Sequence, residues 1–106
     1  MILKRKFRYI LIESSAPMDW KALSAEISNK LSAYLGERFY INADPRVVAN
    51  CGSNAFILRV NRGSEQDVAL GTCYISDINS ISVGLYTIKT SGTIRSLLDY
   101  ASRAYK

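Results

Sequence analysis

Histidine is absent from this chain. Its absence excludes Ser-His-Asp and Cys-His nucleophile systems, imidazole acid–base chemistry and histidine metal ligation. Cysteine is scarce. Cys51 and Cys73 are the two present, and their spacing fits neither a CxxC pair nor a zinc motif. No secretory leader is read at the start, so two free thiols of a cytosolic protein are expected. No apolar run approaches the roughly 20 residues that a bilayer span needs, and no membrane partner is expected. Acidic residues number 9 and are scattered along the chain. None falls in a recognisable metal-binding or acid/base pair, and Asp19, Glu26, Asp67 and Asp99 read as solvated helix residues. Internal repeats and low-complexity segments are also missing, so residues 1–106 read as one domain with one modest core. No catalytic residue and no metal ligand is assigned, which disfavours an enzyme acting alone.

What the chain does have is positive charge, with 14 Lys and Arg and a net charge of +5. An excess of that sign on a small domain favours a polyanionic partner such as nucleic acid. Lys4, Arg5, Lys6 and Arg8 open the chain with no acid among them. They run into Phe7 to Ile12, where Phe7, Tyr9 and Leu11 alternate with Ile10 and Ile12. Apolar residues on both faces predict a central strand covered on both sides. The spacing of Trp20, Leu23, Ile27, Leu31 and Tyr34/Leu35 predicts a helix over 17–36, with Pro17 in its first turn and Gly36 after its last. Residues 37–45 read ambiguously: Phe39, Tyr40 and Ile41 favour a strand, and Asp44-Pro45 ends it. Residues 46–50 and 55–60 flank Cys51-Gly52-Ser53-Asn54 as a hairpin. A second helix is expected from Ser64 as its cap, then a loop over 77–80 and a last strand over 81–88 with Gly84 as a possible bulge. Ile94, Leu97, Leu98, Ala101 and Tyr105 then stripe a final helix. The order is βαββαβ plus a C-terminal helix: an α+β, ferredoxin-like antiparallel sheet with helices on one face.

Two stretches carry candidate function. The first is Lys89-Thr90-Ser91-Gly92-Thr93-Ile94-Arg95, where the last strand stops and the final helix starts. Ser91 or Thr93 is the natural N-cap, and Gly92 permits a sharp turn or a close approach. Free N–H groups and the helix dipole favour a phosphate there. The bland reading is a capped helix and nothing more. In the ferredoxin-like order the first and last strands pair antiparallel, which brings the basic start of the chain to this junction. Lys4, Arg5, Lys6, Arg8, Lys89, Ser91, Gly92, Thr93 and Arg95 are therefore the candidate RNA-backbone residues. The second stretch is the helix from Ser64, which has little polar face, so Leu70, Cys73 or Tyr74 is expected to meet a protein partner. Base stacking on the sheet is not expected. Where an RNA-recognition motif places stacking aromatics, Asn54-Ala55-Phe56-Ile57 supplies one Phe, read as core, and Arg59 stands at another expected ring. An acylphosphatase-like site would need a glycine-rich, arginine-bearing loop, and Glu13-Ser14-Ser15-Ala16-Pro17 is not one.

The basic start into Arg8-Tyr9-Ile10-Leu11-Ile12-Glu13, the hairpin, Phe56-Ile57-Leu58-Arg59-Val60 and the Thr90-Ser91-Gly92-Thr93-Ile94-Arg95 junction together resemble ribonuclease P protein component 2, a small α/β subunit family of archaea and eukaryotes. The resemblance implies an RNA-binding subunit that supports a catalytic RNA in removing the 5′ leader from precursor tRNA. It implies ribonuclease P RNA as partner, precursor tRNA indirectly, a larger TIM-barrel-like protein subunit of the same particle, and a possible homodimer. It implies no cofactor on this chain, Mg²⁺ on the RNA, and a cytoplasmic location in an archaeon or a nuclear one in a eukaryote. A general nucleic-acid-binding domain and a ligand- or protein-binding ferredoxin-like module are the competing classes.

Overall fold

Alternating apolar side chains build the centre of the molecule, seen in a computed structural model that describes residues 6–104. Strand β1 (Phe7–Ser14) sends Ile10 and Ile12 to one face and Leu11 to the other, and all three are fully buried. It pairs antiparallel with β3 (Ala55–Asn61) on one side and β6 (Leu85–Ser91) on the other. Strand β2 (Arg46–Asn50) adds to β3 at the edge, giving the order β2-β3-β1-β6. The sequence-predicted central strand and the split βαβ order both hold.

Helices α1 (Ser24–Leu35) and α3 (Glu65–Cys73) cover one face. Ile27, Leu31 and Val68 pack there against Ile10, Ile12, Phe56, Leu58 and Val60. Helix α4 (Ile94–Ala104) covers the other face, where Leu97 and Ala101 close over Leu11, Ala55, Ile57 and Cys51. Among the described residues no helix is long and apolar enough to cross a membrane.

Several local expectations are corrected. The first helix starts at Ser24, not Pro17, and Trp20 lies in the turn before it. Trp20 is core all the same: it stacks on Phe56 at 4.8 Å between centroids, and its indole N–H donates to the Ser53 carbonyl at 2.8 Å. Residues 37–43 form a helix, α2 (Glu37–Ala43), and not a strand. Gly36 at φ 84 and Asp44 at φ 44 bracket it, and Pro45 forbids its continuation. β-propensity is a weak local preference, and no strand lies beside Phe39 and Ile41 to reward it. Residues 77–82 are not a plain loop. Asn79 and Ser80, both at positive φ, turn the two-residue strands β4 (Asp77–Ile78) and β5 (Ile81–Ser82) into a small hairpin. The last strand accordingly runs over 85–91, and its register shift falls at Ile88, between the partners of Leu11 and Ile12, not at Gly84. The Ser64 side chain makes no cap bond. The Gly63 N–H is taken instead by Glu65 Oε2 at 2.9 Å. Asp19 and Glu26 are not idle solvated carboxylates, since Asp19 lies in the turn region and Glu26 Oε1 accepts the Asn79 N–H at 3.1 Å.

Candidate nucleic-acid interface

Strand pairing brings the start of β1 to the end of β6. Tyr9 faces Ser91 directly, so Arg8 lies beside the turn that follows. The Arg8 guanidinium packs against the Cα of Gly92, and a side chain at Gly92 would run into it. Gly92 is thus needed for a close approach and not for a left-handed backbone, since its φ is not positive. The turn is held by two hydroxyls. Ser91 Oγ accepts the Thr93 N–H at 3.2 Å, and Thr93 Oγ1 accepts the Ser96 N–H at 3.4 Å. Thr93 immediately precedes the helix and its hydroxyl reaches the third helical residue, which is the N-cap geometry.

Around this turn Lys89 and Arg95 are exposed, and Arg8 is half-buried. Arg95 sits in the first turn of α4 and has no hydrogen bond or ion pair to another described residue. Lys89 lies 5.1 Å from the Tyr100 ring centroid, a cation–π distance that leaves its ammonium in water. Lys6 is exposed, and its carbonyl accepts the Arg62 N–H at 2.9 Å. The structure therefore brings Arg8, Lys89, Ser91, Gly92, Thr93 and Arg95 to one end of the β1–β6 pair. Lys4 and Arg5, also expected there, lie outside the described residues.

Leu70, Cys73 and Tyr74 are not at this end. They stand on the helical face, on the side of the sheet away from α4, and all three are exposed. The Tyr74 ring stacks on Tyr34 of α1 at 4.9 Å, and Phe39 and Ile41 of α2 are exposed too. Gly71 allows this arrangement, because a Cβ there would meet the Tyr34 ring at 2.8 Å.

Among the described residues two titratable groups are shifted. The Asn50 amide, then the Ala22 N–H, hold the Asp19 carboxyl below the usual carboxylate range, and burial pushes the Cys51 thiol up. Neither belongs to the junction. Among the described residues no group of three acidic or cysteine side chains stands close enough to hold a metal ion.

The sequence reading missed a feature of the sheet itself. The Arg59 guanidinium carbon lies over the Phe7 ring, 4.4 Å from its centroid, and Arg46 is paired directly opposite Arg59. The alternation of Ile57 and Arg59 was visible in the sequence, but the pairing with Arg46 was not.

A family model described as the Rpp14/Pop5 family matches residues 8–102. The chain is 31% identical over 98 residues to ribonuclease P protein component 2 of Methanoculleus marisnigri, covering 90% of this chain and 61% of that protein. It thus spans about three-fifths of the relative's length. One chain of the cryo-EM structure of yeast ribonuclease MRP superposes with a TM-score of 0.64 at 9% identity, over 98% of this chain and 97% of that one. At that identity the likeness concerns the fold.

Proposed function

Because this chain belongs to the Rpp14/Pop5 family, we propose that it is an RNA-binding protein subunit of ribonuclease P, supporting a catalytic RNA in the removal of the 5′ leader from precursor tRNA. The observation that carries this reading is the family match over nearly the whole chain. The junction gives it a physical surface. Arg8, Lys89 and Arg95 lie around the capped start of α4, where the positive end of the helix dipole favours an incoming phosphate. Guanidinium and ammonium groups bind phosphates by charge-assisted hydrogen bonds, and each released counterion makes binding salt-dependent. The chain binds and positions RNA and brings no catalytic group of its own. Mg²⁺ sits on the RNA. The exposed helical face, with Leu70 and Tyr74, is the surface we assign to a protein neighbour, the larger TIM-barrel-like subunit of the particle.

The test is recovery of RNA with the tagged chain. The reading expects the host's ribonuclease P RNA to co-purify, and expects the Arg95→Ala, Lys89→Ala double variant to recover less. In direct binding the slope of log K against log salt flattens by roughly 0.7–0.9 for each phosphate that is no longer neutralised. A folded chain that recovers no ribonuclease P RNA above control overturns the reading.

A further inference from the structure

One row of residues crosses all four strands of the main sheet. Arg46 of β2 pairs with Arg59 of β3, Arg59 with Tyr9 of β1, and Tyr9 with Ser91 of β6. Directly paired residues share a face. This face is the one α4 covers, because Leu11 and Ile57, two residues along from Tyr9 and Arg59, lie beneath Leu97 and Ala101. At the row the apolar cover gives way to charge. Arg59 is half-buried and stacked on Phe7. Its Nε is shielded from solvent and has no hydrogen-bond partner, and Asn61 Oδ1, one step further out on β3, is in the same condition. No carboxylate among the described residues pairs with Arg59. Arg46 is 63% exposed at its side chain and bonds Asp44 Oδ1 through Nε at 3.3 Å.

The Asp44 carboxylate offsets part of the charge at Arg46, while the charge of Arg59 has no such partner among the described residues. Like charges directly opposite in an antiparallel pair repel, and a shielded donor left without an acceptor costs stability. Stacking on Phe7 explains where the Arg59 guanidinium lies but does not neutralise its charge. An anion lying over the row would offset the repulsion between the two guanidinium groups. It must accept several N–H bonds at once and reach two guanidinium groups, which describes a phosphate. The row also ends where the junction begins: Ser91 is its last member, and Gly92 with the Arg8 guanidinium follows. With strands roughly 4.8 Å apart, its four positions span about 14 Å.

We propose that Arg46, Arg59 and Tyr9 form a second RNA-backbone site on the sheet face, continuous with the junction, so that one RNA strand runs from the start of α4 across the strands to β2. The site takes phosphates and does not stack bases, because Arg59 occupies the face of Phe7 and Tyr9 is partly packed against the cluster under α4. The inference rests on the reading that the chain binds RNA.

The test uses the full chain, an oligouridine and the host's ribonuclease P RNA, across a salt series. Arg46→Gln and Arg59→Gln are each expected to weaken oligouridine binding roughly threefold to tenfold at low salt and to lower the slope by roughly 0.7. The double variant should lower it by about twice that. Arg59→Lys, which keeps the charge, should retain most of the slope. Arg46 is an exposed side chain, so Arg46→Gln carries the test if Arg59→Gln fails to fold by circular dichroism. Arg95→Ala at the junction separates the two claims. If Arg95→Ala flattens the slope while Arg46→Gln and the double variant bind both RNAs like the parent, the sheet site is wrong and RNA binding at the junction stands. If all variants bind like the parent, or the parent binds neither RNA, both readings fall.

Discussion

Asp19 shows how one carboxylate ties distant parts of this chain together. Its Oδ1 accepts the Asn50 amide at 2.9 Å, and Asn50 Oδ1 in turn accepts the Lys21 N–H at 2.9 Å. The turn before α1 is thereby fastened to the end of β2. The Asn50 amide and then the Ala22 N–H favour the charged form, so the folded-state pKa is depressed. The sign follows from linkage. A carboxyl whose folded pKa lies below its unfolded value, near 3.9, contributes stability that is fully present above that value and lost as pH falls through the folded one. We therefore expect Asp19→Asn to be less stable than the parent from neutral pH down to about 4, with the gap closing at lower pH. Urea titrations over a pH series read this directly. A gap that stays constant through the acid range would show that Asp19 acts without its charge.

At the scale of elements, the β6–α4 junction separates two jobs that the sequence leaves merged. Thr93 is the cap and Ser91 braces the turn. Arg95 points its charge outward with no partner among the described residues. Thr93→Ala should cost about 1 kcal/mol of stability, as removal of a hydroxyl N-cap does. Arg95→Ala should leave the melting temperature unchanged and act on RNA affinity alone. Gly92→Ala should displace the Arg8 side chain rather than the backbone, since the obstructing atoms are the far end of a flexible arginine. It should therefore weaken RNA binding with little loss of stability. Thermal melts paired with salt-series binding measure both quantities. A large loss of stability in Gly92→Ala, with RNA affinity intact, would show that the close approach serves the fold.

On the scale of the whole molecule the two sides of the sheet differ. One side carries α4 and the basic row and junction. The other carries α1, α2 and α3, with Tyr34, Phe39, Leu70 and Tyr74 left exposed at 44%, 59%, 54% and 66%. Large apolar side chains grouped in this way mark an interaction surface more often than solitary ones do. Leu70→Glu with Tyr74→Ser should leave the melting temperature within a few degrees of the parent, because both side chains are already more than half in water. It should weaken binding to the larger protein subunit proposed above as its neighbour by tenfold or more, as removal of central apolar anchors does, while binding of RNA by the isolated chain is unchanged. Equal binding of parent and double variant to that subunit would remove this face as the docking surface.

The sequence by itself determined what repeats at short range. Alternation in residues 7–12 made β1 a two-faced central strand, Ile27 and Leu31 marked the buried side of α1, and the Ser-Gly-Thr turn announced a strand ending and a helix beginning. Those signals are local, so they survive any tertiary context. What only the tertiary structure decided depends on register and on competition between distant segments. Counted back from the Cys51–Ala55 turn, Arg59 would face Val47, but a register shift between Val47 and Ala49 moves Arg46 opposite it instead. A one-residue bulge carries no apolar or polar signature in the chain, yet it sets which side chains meet. The fate of residues 37–43 was likewise not local, because aromatic and β-branched residues become a strand when a sheet edge is at hand and a helix when left-handed residues close both ends. The packing of Arg8 on Gly92 joins positions far apart in sequence, and it exists because β1 and β6 are neighbours in the sheet.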